Sequence, residues 1–172
     1  MPPAVRSARA DDVVAAARRV LDRDGQQGLT MRSVAEELHI KAPSLYKHVA
    51  GKAAIEVALV AAALAEMGEA LHATLAEGGS IADLLATYRR EAKAQPNLYR
   101  LATAGRLPRG QLPEGLEDWA GEPFLRVTGE PHLAQALWSF AHGMVILEMD
   151  GRFPPGSDLD RTWAEGAAAF AS

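Results

Sequence analysis

Residues 29–52, LTMRSVAEELHIKAPSLYKHVAGK, read as two short helices joined by a tight turn. Thr30 is placed to cap the first, because its hydroxyl can accept from amides that an opening helical turn leaves free. Met31, Val34, Ala35 and Leu38 recur at helical spacing and give that helix one apolar face. Ala35 is small, so a second helix can cross closely over it. His39, Ile40 and Lys41 form the turn, and Pro43 falls in the first turn of the second helix, where proline is tolerated. Leu45 and Val49 anchor that helix, residues 43–49, to a core. Ser44, Tyr46, Lys47 and His48 then point away. A helix this short, exposing serine, tyrosine, lysine and histidine, is best explained by a place in the major groove of duplex DNA.

The order and spacing of these residues resemble the DNA-binding domain of the TetR (tetracycline-repressor) family of transcriptional regulators. The matching elements are the Leu29-Thr30 helix start, the Val34-Ala35 pair, Leu38, the PSLYKHV segment and Lys52. The likeness is strong over about the first third of the chain and weaker beyond it. There, Trp138, His142 and Gly143 in WSFAHGM look like a Trp-His-Gly signature of many C-terminal domains of the family. One position departs from the pattern: the turn residue that is usually glycine is His39. Histidine enters left-handed backbone conformations more readily than most side-chain-bearing residues, so the turn is expected to survive with modest strain.

The candidate contacts divide by chemistry. Lys52, at the start of a following helix, pairs its charge with free amides and suits a phosphate, as do Thr30 and Arg32 at the first helix. The resemblance implies that Tyr46 and His48 hold the DNA backbone by hydrogen bonds, which sets register without reading sequence. Base reading then falls to Lys41, Ala42, Pro43, Ser44 and Lys47. Lysine can donate to guanine, serine suits several bases, and Ala42 or Pro43 can touch a thymine methyl. Taken singly, Tyr46 reads equally well as a core tyrosine and Lys47 as a solvated charge; their shared register favours DNA.

Charge distribution agrees. Residues 1–52 hold nine lysines and arginines (Arg6 and Arg9 among them) against six acids, a net of +3, whereas residues 53–172 carry −7. A basic head on an acidic body is expected where only the head meets phosphate. The 172 residues, 48% hydrophobic, suffice for a substantial core. There is no cysteine, which excludes disulfides, thiolate metal sites and cysteine nucleophiles. The Met-Pro-Pro opening has no apolar signal-peptide core, and no apolar run reaches membrane-spanning length, so a cytoplasmic protein without membrane contact is expected.

Helical periodicity continues throughout and no alternating strand pattern interrupts it. Residues 9–24 form a helix ended by Gly25 and Gly28. A long helix follows Gly51 to about residue 77, with Val60, Leu64, Met67, Leu71 and Leu75 as its stripe and Gly78-Gly79 as its stop. Ser80 caps a helix to about residue 94, and residues 97–104 form a short one. GRLPRGQLPEG, residues 105–115, reads as a loop. A helix at 116–127 is expected to break at Gly121 and Pro123. Helices at 131–149 and 159–170 close the chain. The expected fold is all-α, about nine helices. A three-helix helix-turn-helix DNA-binding domain at 1–51 precedes a larger helical effector-binding and dimerisation domain at 52–172.

The helix at 131–149 carries two adjacent apolar stripes, Leu133, Leu137, Phe140, Met144 and Leu147 beside Ala134, Trp138, Ala141, Val145 and Met149. One stripe suffices for a core, so the second points to a partner. With Trp163 and Phe170 of the last helix, Leu133, Leu137, Trp138, Phe140, Met144 and Leu147 are the expected interface of a homodimer built as a four-helix contact. The family resemblance implies the same dimer. It also implies a pocket for a small apolar effector, with Met67, Leu71, Tyr88, Trp119, Phe124 and His142 as candidate lining; plain core reads these residues equally well. His39, His72, His132 and His142 show no metal-ligand spacing, and no phosphate loop or nucleophile elbow occurs. No metal, cofactor or catalytic residue is expected. The function expected is a transcriptional repressor that binds a palindromic operator in double-stranded DNA and answers to a ligand. Its rivals are a helical DNA-binding protein without an effector and a helical-bundle enzyme that has borrowed the motif.

Overall fold

The computed structural model describes residues 8–171; the Met-Pro-Pro opening and Arg6 lie outside them. The described residues form nine α-helices and one short 3₁₀ turn, with no strand. The helices are α1 (Ala8–Gly28), α2 (Met31–Glu37), α3 (Ala42–Leu45), α4 (Lys52–Ala76) and α5 (Ile81–Ala94), then α6 (Pro96–Thr103), α7 (Leu116–Thr128), α8 (Pro131–Met149) and α9 (Leu159–Phe170). The turn is Arg109–Gln111.

Helix boundaries follow local chemistry. Gly25 breaks α1 with φ 69° and ψ −175°, a conformation that favours glycine. The long α4 ends at Gly78, φ 82°, where the amides of Gly78 and Gly79 return to the carbonyls of Leu75 and Thr74. Ser80 and Asp83 cap α5 reciprocally: the Asp83 carboxylate accepts from the Ser80 amide at 2.8 Å, and the Ser80 hydroxyl accepts from the Asp83 amide at 3.3 Å. Pro131 opens α8 in its first turn, with Glu130 as cap.

The chain divides into two compact units that do not follow a single cut. One gathers the chain up to Leu64 together with Gln95–Glu117; the other takes Ala65–Ala94 and the chain from Asp118 onward. In the first, Val13, Ala17, Val20 and Leu21 of α1 meet Leu29, Val34, Leu45, Ile55 and Leu59, and Leu98 and Leu101 of α6 complete the same core. Leu107 and Leu112, in the expected loop, also pack there. Each leucine so enclosed is worth roughly 2 kcal/mol of transfer free energy.

In the second unit α5, α8 and α9 pack around Leu84, Leu85, Tyr88, Leu137, Ala141, Val145 and Trp163. An ion cluster centred on the enclosed carboxylate of Glu148 ties the three. Glu148 of α8 accepts from Arg89 Nε and Nη2 at 2.8 and 2.9 Å, from Lys93 Nζ, and from Trp163 Nε1 at 3.2 Å. Arg89 Nη1 also donates to Asp160 at 2.6 Å.

The expected break in α7 does not occur; the helix runs through Pro123. Proline has no amide hydrogen, so the carbonyl four residues earlier, that of Trp119, loses its helical partner. His72 of α4 replaces it, its Nε2–H donating to that carbonyl at 2.9 Å. Its ring stacks on the Trp119 indole with centroids 4.8 Å apart. The indole in turn lies over Gly68, where a β-carbon would come within 2.6 Å of the ring.

Candidate nucleic-acid interface

Two backbone devices shape the stretch from residue 29 to 52. Thr30 caps α2, and Ser33 answers it: Thr30 Oγ1 accepts from the Ser33 amide at 3.0 Å, and Ser33 Oγ accepts from the Thr30 amide at 2.9 Å. The Ser33 hydroxyl also donates to Gly28 O at 2.7 Å, which fastens the end of α1 to the start of α2. At the other end of α2, His39 adopts φ 55°, the one positive φ outside glycine among the described residues. The His39 and Ile40 amides return to the carbonyls of Glu36 and Ala35, each at 3.0 Å, closing a Schellman motif with histidine in the glycine position. Glu37 accepts from Arg19 at 2.7 Å and from Arg23 at 2.9 Å, so α1 grips the end of α2. Those hydrogen bonds hold the Glu37 carboxyl below the usual carboxylate range.

The second helix is shorter than its expected span of 43–49. Regular α-helix covers Ala42–Leu45 alone, and Tyr46 begins a tighter turn in which His48 and Val49 both donate to Leu45 O. The side chains divide in part as the spacing implies. Leu45 is fully buried, and Ala42 and Val49 pack partly against the first unit's core. Tyr46 is 61% exposed. Lys41, Pro43 and Lys47 are exposed, and Ser44 and His48 are half-buried. Thr30, Arg32 and Lys52 are exposed as well. Arg32 pairs with Glu36 at 2.8 Å and Lys52 with Glu56 at 3.5 Å. These are solvated pairs one helical turn apart, weak enough for a phosphate to displace. Among the described residues Lys41 and Lys47 form no ion pair. The surface is therefore a short polar ridge with two uncommitted ammonium groups, flanked by cations held in reserve.

The chain matches the family model for bacterial regulatory proteins of the tetR family over residues 13–59, and that for the tetracyclin repressor-like C-terminal domain over residues 81–170. The chain belongs to the TetR family. A helix-turn-helix-type transcriptional regulator of Mycobacterium tuberculosis is 30% identical over 156 residues, covering 82% of this chain and 70% of the relative. Among solved structures, a Rhodococcus protein of unknown function superposes with TM-score 0.79 at 20% identity over 99% of this chain and 97% of its own. The multidrug binding protein EbrR, complexed with imidazole, gives 0.72 at 20% identity over 95% of each chain. As a TetR family member, this protein is a DNA-binding transcriptional regulator.

The remaining candidates fall in the second unit. Leu71, Tyr88 and Phe124 are buried, and Tyr88 meets Phe124 edge-on with centroids 5.7 Å apart, so these three pack as core. Met67 is half-buried and Trp119 sits partly exposed over Gly68. His142 stacks on Trp138 at 5.9 Å, and burial pushes its imidazole below the ordinary histidine value. No group of three or more histidine, aspartate or glutamate side chains among the described residues could hold a metal ion. No described helix is long and apolar enough to cross a membrane.

The dimer candidates differ in their burial within the single chain. The core face of α8 straddles the two expected stripes and takes Leu137 and Met144 from one, Ala141 and Val145 from the other. Leu137, Met144 and Trp163 are thus consumed within one chain and leave little surface for a partner. Leu133, Phe140 and Phe170 are half-buried; Phe140 packs on Trp163 and Phe170 and fills the space over Gly166. Trp138 at 47% and Leu147 at 42% remain the large exposed apolar side chains of α8. Sequence reasoning missed Ser33, Glu37 and Glu148, whose partners are set by tertiary approach or by an unusual cap residue.

Proposed function

We propose that this TetR family member is a ligand-responsive repressor that acts in the cytoplasm and binds a palindromic operator as a homodimer. Residues 1–51 read DNA; residues 52–172 hold the effector and the dimer contact. The observation that carries the reading is the α3 ridge, where burial of Leu45 leaves Lys41, Pro43, Tyr46 and Lys47 exposed. Thr30, Arg32, Tyr46, His48 and Lys52 hold phosphates. Lys41, Ala42, Pro43, Ser44 and Lys47 meet base edges. Exposed Trp138 and Leu147, with Leu133, Phe140 and Phe170 beside them, support pairing through α8 and α9. Two copies then set their ridges in successive major grooves, roughly 34 Å apart.

A small apolar effector acts only through different affinities for DNA-competent and incompetent states. The imidazole complex of the similar multidrug binding protein supports such a site. Met67, Leu71, Tyr88, Trp119, Phe124 and His142 line it here. The closed packing of Leu71, Tyr88 and Phe124 favours a second reading, a regulator without effector. A thermal-shift screen separates the two, since a ligand of the native state raises the midpoint.

Operator selection from random DNA tests the main reading. The expected result is a palindrome. Tyr46→Phe and Lys52→Ala weaken binding about equally on all sequences, whereas Lys47→Ala changes which bases are preferred. An asymmetric site, or altered base preference in Tyr46→Phe, overturns the assignment of contacts.

A further inference from the structure

Asn97 stands in the first turn of α6, yet its carboxamide serves another helix. Its Nδ2 donates to the carbonyls of Leu21 and Asp22, both at 3.0 Å. These carbonyls lie at the end of the straight part of α1, just before Gly25 breaks it. A donor from α6 thus reaches the last carbonyls of that straight part and ties α6 to the point where α1 breaks. Beyond the break at Gly25, hydrogen bonds lead on to the start of α2. Gly28 O is held by Ser33 Oγ at 2.7 Å, and Ser33 is locked to Thr30, the first of the residues assigned to phosphate. Arg19 and Arg23 of α1 also grip Glu37 at the far end of α2. A shift in the end of α1 therefore moves both ends of α2.

We propose that Asn97 is a positioning residue for DNA binding, setting the α1–α2 corner from α6 without touching DNA. The inference rests on the DNA-facing reading of Thr30 and α3. Covalent connection gives it a further consequence. Residues 95–117 belong to the first unit but are entered from α5, in the second, and left through α7, which passes into the second after Glu117. A displacement of α6 therefore reaches α1 through this carboxamide as well as through Leu98 and Leu101, which share its core.

The test uses the full chain and its selected operator, read by fluorescence anisotropy at a temperature where circular dichroism finds each variant folded. Asn97→Asp keeps the shape, and a carboxylate suits the first turn of α6, but donation to Leu21 and Asp22 is lost. Asn97→Ala removes the donor without adding charge. Both are expected to weaken specific binding about fivefold or more. The salt dependence should stay that of the wild type, because no phosphate-holding charge is removed. Folded variants that bind within about twofold of wild type would reduce Asn97 to a structural cap and overturn the proposal. A changed salt slope would make it a phosphate contact and overturn it equally. Wild-type protein that binds no duplex at all would instead remove the DNA-facing reading on which the proposal rests.

Discussion

Replacing Glu148 by glutamine keeps its shape but removes the charge on which α5, α8 and α9 converge. The side chain is 8% exposed, and burial alone would raise its pKa. Hydrogen bonds from Arg89, Lys93 and Trp163 outweigh that burial and bring it from 4.5 down to about 2. A carboxyl depressed in the folded state contributes stability that is present above its unfolded value and lost as pH falls through the folded one. The shift corresponds to about 3 kcal/mol as an upper bound. Water reaches Lys93, which is 46% exposed, so a loss of about 2 kcal/mol is expected for Glu148→Gln near pH 7. Urea denaturation at fixed protein concentration measures it. Near pH 3 the carboxyl of the unfolded chain is protonated while the folded one stays mostly ionised, so unfolding takes up a proton and the gap between the two proteins should shrink to about half. Asp160→Asn removes the other partner of Arg89, but Asp160 is 88% exposed and its loss should fall below about 0.5 kcal/mol. A Glu148→Gln deficit that is the same at both pH values would refute the electrostatic account.

His39→Gly should stabilise the protein by about 0.5–1 kcal/mol, because glycine enters the observed φ of 55° without strain; an unchanged or lowered urea midpoint would contradict the strained turn. His72→Ala should cost about 0.5–1.5 kcal/mol by removing the donor to the Trp119 carbonyl. In a Pro123→Ala background, where residue 123 regains its amide hydrogen, the same substitution should cost clearly less. An additive double-mutant cycle would deny the link between proline and imidazole.

The fold was largely legible because its determinants are local. The spacing of Val13, Val20, Val34 and Leu45 marks core faces, and Gly78 and Pro131 punctuate helices wherever they occur. Even the histidine at the turn announced its left-handed backbone by standing where glycine is usual. Illegible were features whose cause lies far away in the chain. Pro123 argues for a break until His72, 51 residues earlier, supplies the missing donor. The stripes of α8 cannot say which arc faces inward, since α5 and α9 decide that. Glu148 is an ordinary acid in the sequence; Arg89 and Trp163 distinguish it only after the helices meet. The recognition ridge was legible in Tyr46 and Lys47, which are exposed, less so in Ser44 and His48, which are half-buried, and its helical length was overestimated, because the tightening after Tyr46 leaves no trace in residue type.

The interrupted composition of the first unit bears on how such heads can be exchanged. A fragment cut after Leu64 would carry every residue assigned to DNA, yet it would lack Leu98 and Leu101, which are part of its core. It would also lose the Asn97 donor to the carbonyls of Leu21 and Asp22. Grafting this reading head onto another sensor is therefore not a matter of joining two consecutive sequences. Residues 95–117 have to travel with it, and any recombination that separates them trades a working head for one with a hole in its side.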